Sequence, residues 1–406
     1  MVGVGGLAVQ VSDVAQDAEK QSEIIGRGSN QSGMRAHNER LVLTLLRRHG
    51  PLAKSEIARS TGLSAQTVSV IMRALEDDGL LRRGDPVRGK VGQPSVPMRL
   101  DPEGAYFLGL KVGRRSTELV LTDFMGRVTG RASRLHAYPD PDEVVRFAVT
   151  QIAAIREGLT PRQRDRIAGL GIAIPFFLWD WAQHLGVPEA AMAAWRDADI
   201  RTEIAGRTGL PVFLENDASS ACGAEIVFGP YESDKDFLYF YVGYFIGGGM
   251  VLNGKLFTGR GNAAALGPIP VPDGRGGMCQ LLEVASLSVL EERLRAKGQE
   301  TAAMWETTEG WDFDSEVLSD WIAKTAQGLA HAIASACSVV DFGAVRIDGW
   351  LPLSLRRELV MATRKALGKL DLSGLTVPQI ATGNIGPDAR SLGAASLPLS
   401  GRFLID

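Results

Sequence analysis

Residues 64–73 combine small and polar side chains whose chemistry suits the recognition of nucleic acid. On a helix these side chains share one side, where amide and hydroxyl groups can hydrogen-bond to base edges in a major groove. An arginine there can contact bases or phosphates. The candidate DNA-binding residues of this helix are Ser64, Ala65, Gln66, Thr67, Ser69 and Arg73.

A helix-turn-helix over residues 53–81 would position these side chains. Gly62 supplies the positive φ that a tight turn needs, Ser64 is a favourable N-cap for the second helix, and Gly79 ends that helix. The opposite side carries apolar residues at steps of three and four, namely Val68, Ile71, Met72 and Leu75. A helical hairpin that only packs is the alternative. The agreement of cap, turn, apolar stripe and polar side favours a DNA-reading motif.

Two short extended segments within residues 81–100 flank a loop rich in Gly, Pro and basic residues. This pattern predicts a wing, a β-hairpin whose tip lies along a phosphate backbone or in the minor groove. Its candidate DNA-binding residues are Arg82, Arg83, Arg88 and Lys90. A plain exposed hairpin would have a similar composition, but the position directly after the helix-turn-helix favours the wing.

The segment 35–100 is basic, although the whole chain is slightly acidic. It contains 12 Lys and Arg against 6 Asp and Glu, whereas the chain has a net charge of −3. A basic module on an acidic body is what phosphate binding by one part of a protein requires. A chance cluster of solvated charges is the alternative, and its coincidence with the helix-turn-helix disfavours it.

The remaining bulk properties exclude several classes of protein. A chain of 406 residues exceeds one core and predicts two or three domains. No apolar run reaches membrane-spanning length without glycines, and no signal peptide is recognisable. The three cysteines are far apart, which predicts a reducing compartment and no disulfide framework. We therefore expect a cytoplasmic protein without a membrane partner.

The order of the patterns predicts the domains. Residues 1–33 have the composition of a disordered arm, and residues 34–100 form the winged helix-turn-helix, whose first helix is expected over 35–49. From residue 101 strands and helices alternate, which predicts an α/β body. One of its helices is expected over 281–297.

Five segments of the chain resemble a known family. They are GQPSVPMRLDPEGAYFLGLKVG (92–113), GLGIAIP (169–175), ENDASSACGAE (215–225), VGYFIGGGMVLNGKLFTG (242–259) and LGAASLPL (392–399). They resemble the ROK family (repressors, open reading frames and sugar kinases), and the chain is similar to its xylose- and N-acetylglucosamine-type repressors.

This resemblance covers nearly everything from Arg35 onwards. It implies a two-lobed sugar kinase/actin-like body with ribonuclease H-like lobes. Lobe 1 would span 101–222 and lobe 2 would span 223–406, with the C-terminal helix returning to lobe 1.

The resemblance also implies a sugar site. In sugar-phosphorylating members an Asn-Asp pair binds the sugar, and the Asp is the general base that accepts the proton of the attacked hydroxyl. Asn216 and Asp217 match this pair, so Asp217 would be a vestigial base, and Glu283 matches a later sugar-binding Glu. An Asn-Asp turn without a ligand is the alternative.

Three ATP-contacting segments depart from the family pattern. The Asp-x-Gly-Gly-Thr loop reads Lys-Val-Gly-Arg-Arg at 111–115, which puts large side chains where backbone amides must approach phosphates. Phe245 interrupts the second phosphate loop, and the glycines of the adenosine turn are replaced by Asp348 and Trp350. We therefore predict no kinase activity and no cofactor.

The family's zinc ligands, one His and three Cys, are also mostly missing. Residues 264–268 lack the His and the sugar-contacting Glu, and residues 274–283 keep only Cys279. Since a tetrahedral zinc site needs four ligands, we predict no metal.

These features together predict a DNA-binding transcriptional regulator, a repressor of carbohydrate metabolism that responds to a sugar or sugar derivative. We expect a homodimer or homotetramer on palindromic double-stranded operator DNA, with the ligand shifting the angle between the lobes. Two alternatives remain. One is an active sugar kinase with an appended DNA module, which Asp217 supports. The other is a protein-interaction scaffold, which the tryptophan-rich segment 176–196 allows.

Overall fold

The computed structural model describes residues 31–86, 96–182, 186–230 and 235–405. The N-terminal unit is a winged helix-turn-helix, as predicted. Its elements are α1 (Gln31–His49), α2 (Lys54–Thr61), α3 (Ala65–Asp77), β1 (Leu81–Arg83) and β2 (Met98–Leu100). The strands β1 and β2 pair antiparallel.

The N-terminal boundary and the wing loop of this unit differ from the prediction or lie outside the described residues. The first helix begins at Gln31, so the predicted arm of residues 1–33 is wrong in its last three residues, and residues 1–30 lie outside the described residues. The tip of the wing, residues 87–95, also lies outside them.

The helix α3 has the predicted construction. The Ser64 hydroxyl accepts a hydrogen bond from the Thr67 N–H at 3.1 Å and caps the helix. Gly62 and Gly79 adopt positive φ values of 70° and 71° on either side of it. The predicted apolar stripe is buried, namely Val68, Ile71, Met72 and Leu75.

Lobe 1 contains a mixed five-stranded sheet covered by helices. Its elements are β3 (Tyr106–Val112), β4 (Ser116–Thr122), β5 (Val128–Leu135), α4 (Pro141–Glu157), α5 (Pro161–Asp165), β6 (Ile167–Ile174), α6 (Glu189–Ala193), α7 (Ile200–Thr208) and β7 (Val212–Asn216). The strand order is β5-β4-β3-β6-β7, with β3, β6 and β7 mutually parallel.

Lobe 2 repeats this arrangement. Its elements are α8 (Asp217–Phe228), β8 (Phe237–Val242), β9 (Gly247–Leu252), β10 (Lys255–Leu256), β11 (Pro270–Pro272), β12 (Met278–Gln280), α9 (Leu282–Ala285), α10 (Leu287–Ala296), α11 (Ala303–Glu306), α12 (Ser315–Cys337), β13 (Ala344–Gly349), α13 (Leu353–Leu367), β14 (Gln379–Thr382) and α14 (Ala389–Phe403). The main sheet has the order β10-β9-β8-β13-β14, with β8, β13 and β14 parallel.

Counted along the chain, the strands of both main sheets follow the order 3-2-1-4-5. This duplicated topology is the architecture expected of the predicted two-lobed body. Cavities in such sheets form at the carboxyl ends of the parallel strands, which is where β7 ends in Asn216.

The C-terminal helix α14 packs against the lobe 1 sheet. Glycine is required at this contact, because a Cβ on Gly171 would lie 1.8 Å from the Ala394 carbonyl oxygen. The predicted lobe boundary at 222 falls inside α8, which continues to Phe228.

The winged helix-turn-helix shares an apolar core with lobe 1 and α14. Leu43 and Leu46 of α1 belong to the same buried cluster as Phe107, Phe124 and Leu399. In this cluster the rings of Phe124 and Phe403 are 5.2 Å apart. The winged helix-turn-helix, called the head below, is therefore joined to the body by a continuous hydrophobic contact as well as by the chain connection.

Arg166, immediately before β6, fastens α3 to the body. Its guanidinium donates to the carbonyl oxygens of Asp78 and Gly79 at 3.0 and 3.3 Å, just after the end of α3. It also donates to Gly104 at 2.8 Å. A cation at this end of a helix is stabilising, because the carbonyl groups there lack partners within the helix.

The predicted helix over 281–297 is interrupted. Ser286 is extended (φ −82°, ψ 152°) and separates α9 from α10. Its hydroxyl accepts from the Ile246 N–H at 3.0 Å. No helix among the described residues is long and apolar enough to cross a membrane.

Candidate functional site

The first candidate site is the outer side of α3. Ala65, Gln66 and Arg73 are exposed, whereas Thr67 and Ser69 are half-buried. The hydroxyls of Ser64 and Thr67 hydrogen-bond to each other at 2.8 Å, so these two side chains also belong to the helix cap. Gln66 and Arg73 are therefore the exposed polar residues among the DNA contacts predicted within this helix.

Two arginines of the wing face each other. Arg82 on β1 and Arg99 on β2 are direct partners in the antiparallel register, and both are exposed. Like charges directly opposite on a sheet are destabilising in the absence of an anion. Their pairing therefore favours a site for phosphate at the base of the wing.

The other predicted wing residues are an arginine that forms an ion pair and two residues outside the described ranges. Arg83 forms an ion pair with Glu76, with Nε and Oε1 2.8 Å apart. Arg88 and Lys90 lie outside the described residues.

Sequence reasoning missed two residues of this surface. Val70 is 58% exposed on the outer side of α3, where an apolar side chain can contact a thymine methyl group. Its signal was a valine outside the apolar stripe. Arg99 joins the site only through the register of β1 and β2, which the sequence did not specify.

The second candidate site is a cavity of about 130 Å³ between the lobes. Lobe 1 contributes Asn216 and an aromatic wall that includes Phe176 and Trp181, and Asp217 lines the cavity from the start of α8. Lobe 2 contributes the segment 262–268 and, from β8 and the turn that follows it, Tyr241 and Phe245.

Asn216 has a structural role at this cavity. Its carboxamide oxygen accepts from the N–H groups of Ala218 and Ser219 at 3.0 and 3.2 Å, which caps α8. The cap uses only the oxygen, so the amide NH₂ group can serve a ligand. The turn and ligand interpretations of this residue are therefore compatible.

Asp217 is paired with a buried arginine. One carboxylate oxygen accepts from Arg390 Nη1 at 3.2 Å, and the Arg390 guanidinium also lies 4.9 Å from the centre of the Tyr241 ring. Burial disfavours the charged form of Arg390, but Tyr241 and Asp217 outweigh this effect and its pKa is raised. Sequence reasoning missed Arg390, because the pair joins positions 173 residues apart.

Lys111 stands where family kinases carry a loop Asp. Its ammonium donates to the Ser116 hydroxyl at 2.9 Å and lies 3.8 Å from Glu118. Burial, followed by the positive charge of Arg390, lowers the pKa of Lys111 to about 8.

Arg114 reaches across the cleft. Its guanidinium carbon lies 4.5 Å from the centre of the Phe245 ring in lobe 2 and 5.0 Å from that of Trp181 in lobe 1. Burial lowers the pKa of Arg114 to about 10. The three side chains line the cavity between the lobes.

The altered adenosine turn is filled by a buried network. Asp348 is fully buried and accepts from the Tyr239 hydroxyl at 3.1 Å and from the Gly386 N–H at 2.8 Å. It also forms an ion pair with Arg356. The carboxylate is thus held by groups of the protein itself.

The structure does not bring Glu283 to the cavity. Its side chain is exposed and accepts from the Gln280 N–H at 2.7 Å, whereas the neighbouring Leu282 lines the cavity wall. The expected role of Glu283 in ligand binding thus lacks support from its position. Within the described ranges, no group of three or more His, Cys, Asp or Glu could hold a metal ion.

Comparison with known proteins places both parts of the chain. The ROK family matches residues 107–400, and the winged helix-turn-helix DNA-binding family matches residues 35–82.

Two curated relatives illustrate the similarity. A transcriptional regulator of Mycobacterium tuberculosis is 30% identical over 252 residues, which are 60% of this chain and only 56% of that protein. The xylose repressor of Bacillus subtilis is 24% identical over 233 residues, 57% of this chain and 59% of the repressor.

Solved structures extend the similarity at the level of the fold. A ROK family transcriptional regulator described as a homologue of the Escherichia coli MLC protein has a TM-score of 0.66 at 19% identity, covering 91% of this chain and 97% of its own. A ROK family glucokinase from Streptomyces griseus has a TM-score of 0.55 at 21% identity, covering 72% of this chain and 99% of its own.

These similarities confirm the predicted fold class, a winged helix-turn-helix joined to a sugar kinase/actin-like body. Both regulators and kinases occur among the similar proteins. Because the ROK match alone covers more than half of the residues, this chain belongs to the ROK family.

Proposed function

We propose that this protein is a DNA-binding transcriptional regulator, a repressor of carbohydrate metabolism whose ROK domain binds a sugar or sugar derivative without phosphorylating it. The proposal rests on one observation: the apolar side of α3 is buried while its polar side is exposed. Such a protein would act in the cytoplasm, as a homodimer or homotetramer on palindromic operator DNA.

The surface chemistry supports DNA as the partner. Gln66 and Arg73 can bond to base edges or phosphates, and the facing arginines Arg82 and Arg99 suit a backbone phosphate. The transcriptional regulators among the relatives agree with this assignment.

Three features argue against phosphotransfer. The carboxylate of Asp217 accepts a hydrogen bond from Arg390 at 3.2 Å, so one of its oxygens is already engaged by a buried cation. The stack of Arg114 on Phe245 occupies the approach to the phosphates. In addition, Asp348 fills the adenosine turn with an internal ion pair.

A continuous element links the cavity to the DNA-reading helix. The strand β6 begins directly after Arg166, which holds the end of α3, and leads into Pro175 and Phe176 of the cavity wall. A ligand would change DNA binding to the extent that it favours one arrangement of the lobes over the other.

The test is fluorescence anisotropy with DNA from upstream of the protein's own gene, over a range of salt concentrations. We expect salt-dependent binding that Arg73→Ala weakens, while Arg357→Ala, which removes an exposed arginine in lobe 2, has no effect. Equal behaviour of the two variants, or no binding at low salt, would refute the assignment. Addition of a cognate sugar should release the DNA.

The rival function, an active sugar kinase, is supported by the carboxylate of Asp217 at the cavity and by kinases among the structural neighbours. An ATP-dependent phosphorylation assay across a sugar panel decides between them. We expect no turnover above that of Asp217→Asn. A robust rate that this variant abolishes would establish the kinase.

A further inference from the structure

Arg114 is a buried cation that forms no ion pair with any of the residues that the structure describes. Its side chain is only 9% exposed, and its guanidinium borders the cavity between the lobes. No hydrogen bond to this guanidinium is found in the described part of the chain, and its Nε is fully enclosed. Its guanidinium carbon lies 5.0 Å from the centre of the Trp181 ring and 4.5 Å from that of Phe245.

The neighbouring charges are already matched to one another. Asp217 pairs with Arg390 at 3.2 Å. Glu118 accepts from Arg131 and lies 3.8 Å from Lys111. Among the described charges, Arg114 is therefore left as an unmatched positive charge at the cavity, although Asp217 is near enough to favour its charged form.

Keeping such a group costs stability. A charged side chain removed from water is strongly unfavourable unless it is paired and hydrogen-bonded. Arg114 could be replaced by an apolar residue of similar length, because both rings that contact it are apolar. Its presence indicates a ligand that supplies the missing negative charge.

The geometry also indicates how that charge would be met. A guanidinium stacked on rings presents its N–H donors at its edge, in a plane that matches two oxygens of one anionic group. Carboxylates and phosphates both offer such a pair of oxygens.

The cavity has further marks of a binding site. Phe177 and Ala264, from opposite lobes, both line it and adopt positive φ values of 56° and 51°. Strained conformations of this kind are concentrated at ligand sites. The cavity has a volume of about 130 Å³ and is partly open to solvent, so part of a ligand the size of a sugar can extend out of it.

We infer that this cavity binds a carbohydrate that carries an anionic group, either a sugar acid or a sugar phosphate, with the anion on Arg114. Asn216 and Asp217 would bind hydroxyl groups of the same ligand. The inference rests on the proposed sensing function and narrows its ligand from sugars in general to charged ones.

The test is isothermal titration of the full chain with three matched series of gluco, galacto and manno configuration. Each series contains the neutral hexose, its hexuronate and its 6-phosphate. We expect one anionic form to bind at least tenfold more tightly than its neutral hexose. Which anion binds distinguishes a sugar acid from a sugar phosphate.

Variants locate the preference. Arg114→Met should abolish it, while Arg115→Met, which removes the adjacent charge outside the cavity lining, should retain it. Arg114→Lys keeps the charge without the planar donors and should keep only part of the preference. This second variant decides the question if Arg114→Met fails to fold.

Two results would overturn the inference. Binding of a neutral hexose that depends on Asp217 and is indifferent to Arg114 would reject the charged ligand and leave sugar sensing intact. If none of the nine compounds binds, the charged hexose ligand is rejected, whereas sugar sensing itself is decided by the release of DNA on addition of a sugar.

Discussion

Arg390 and Asp217 form an ion pair across 3.2 Å beside the cavity between the lobes, which Asp217 lines. Both side chains are almost completely buried, and the arginine comes from the C-terminal helix α14. The predicted vestigial base has thus become part of the connection between α14 and the cavity.

This pair predicts a loss of stability on truncation. Asp217→Ala leaves the Arg390 guanidinium buried without its partner, so we expect the free energy of unfolding to fall by about 3–5 kcal/mol. Adding Arg390→Met should recover most of the loss. Chemical denaturation of the single and double variants measures it, and strictly additive effects would contradict the pairing. Asp217→Asn is the milder variant for binding studies.

The wing predicts opposite effects on stability and on DNA binding. Arg82→Ala or Arg99→Ala removes a like-charge contact, so the thermal midpoint should stay constant or rise. The same variants should weaken DNA binding and reduce the salt slope by about one unit each. Parallel thermal unfolding and anisotropy measurements check both effects. A salt slope that equals that of the parent would mean that neither arginine meets a phosphate.

Glu215, next to the cavity residues, predicts a pH dependence. Burial raises the pKa of Glu215 from 4.5 to about 7, so the folded protein keeps a proton that the unfolded chain releases between these values. Its contribution to stability is therefore complete below pH 4.5 and is lost as the pH rises towards 7. Glu215→Gln should be more stable than the parent by about 3 kcal/mol above pH 7.

The pH dependence of Glu215→Gln must be compared with that of the parent, because His136 changes stability with pH in the opposite direction. Burial and the nearby charge of Lys111 lower the pKa of His136 to about 4, which makes stability rise with pH between 4 and 6.5. Denaturation of both proteins at pH 4.5, 6 and 8 cancels this opposite slope. A difference that does not change with pH would reject the assignment to Glu215.

The close contact between α14 and lobe 1 predicts that a substitution at Gly171 strongly destabilises the protein. Gly171→Ala places a methyl group against the Ala394 carbonyl, and we expect a loss of about 3 kcal/mol. Gly206→Ala is the matched control, because this glycine lies in α7 with no atom within 4 Å of its built Cβ. The control should gain about 0.5–1 kcal/mol. Similar thermal midpoints for the two variants would disprove the close contact.

The parts of the fold that depend on local pattern were predictable. The apolar stripe of α3 and its Ser64 cap follow from spacing and composition alone. The strand β5 escaped prediction because its half-buried positions are Val128, Gly130 and Ala132, of which two are small, and the other residues of the strand are exposed. The break at Ser286 depends on a hydrogen bond to Ile246, forty residues away, that no local pattern encodes.

The candidate site was only partly predictable for the same reason. Asn216 and Asp217 followed from the motif around them, and both do line the cavity. Arg390 joins them through the return of α14, and Arg99 meets Arg82 through a strand register. Glu283 is the opposite case, a residue that the motif predicted but that does not reach the cavity. It lies on the exposed side of its short helix.

The shared core beneath the head has a consequence for biosynthesis. Leu46 emerges from the ribosome roughly 350 residues before Leu399, against which the head is seated. At about 5–20 residues per second, this interval lasts roughly 20 to 70 seconds. During this time the apolar side of the N-terminal helices is not yet buried by α14. Nascent chains should therefore depend on chaperones until α14 has been synthesised.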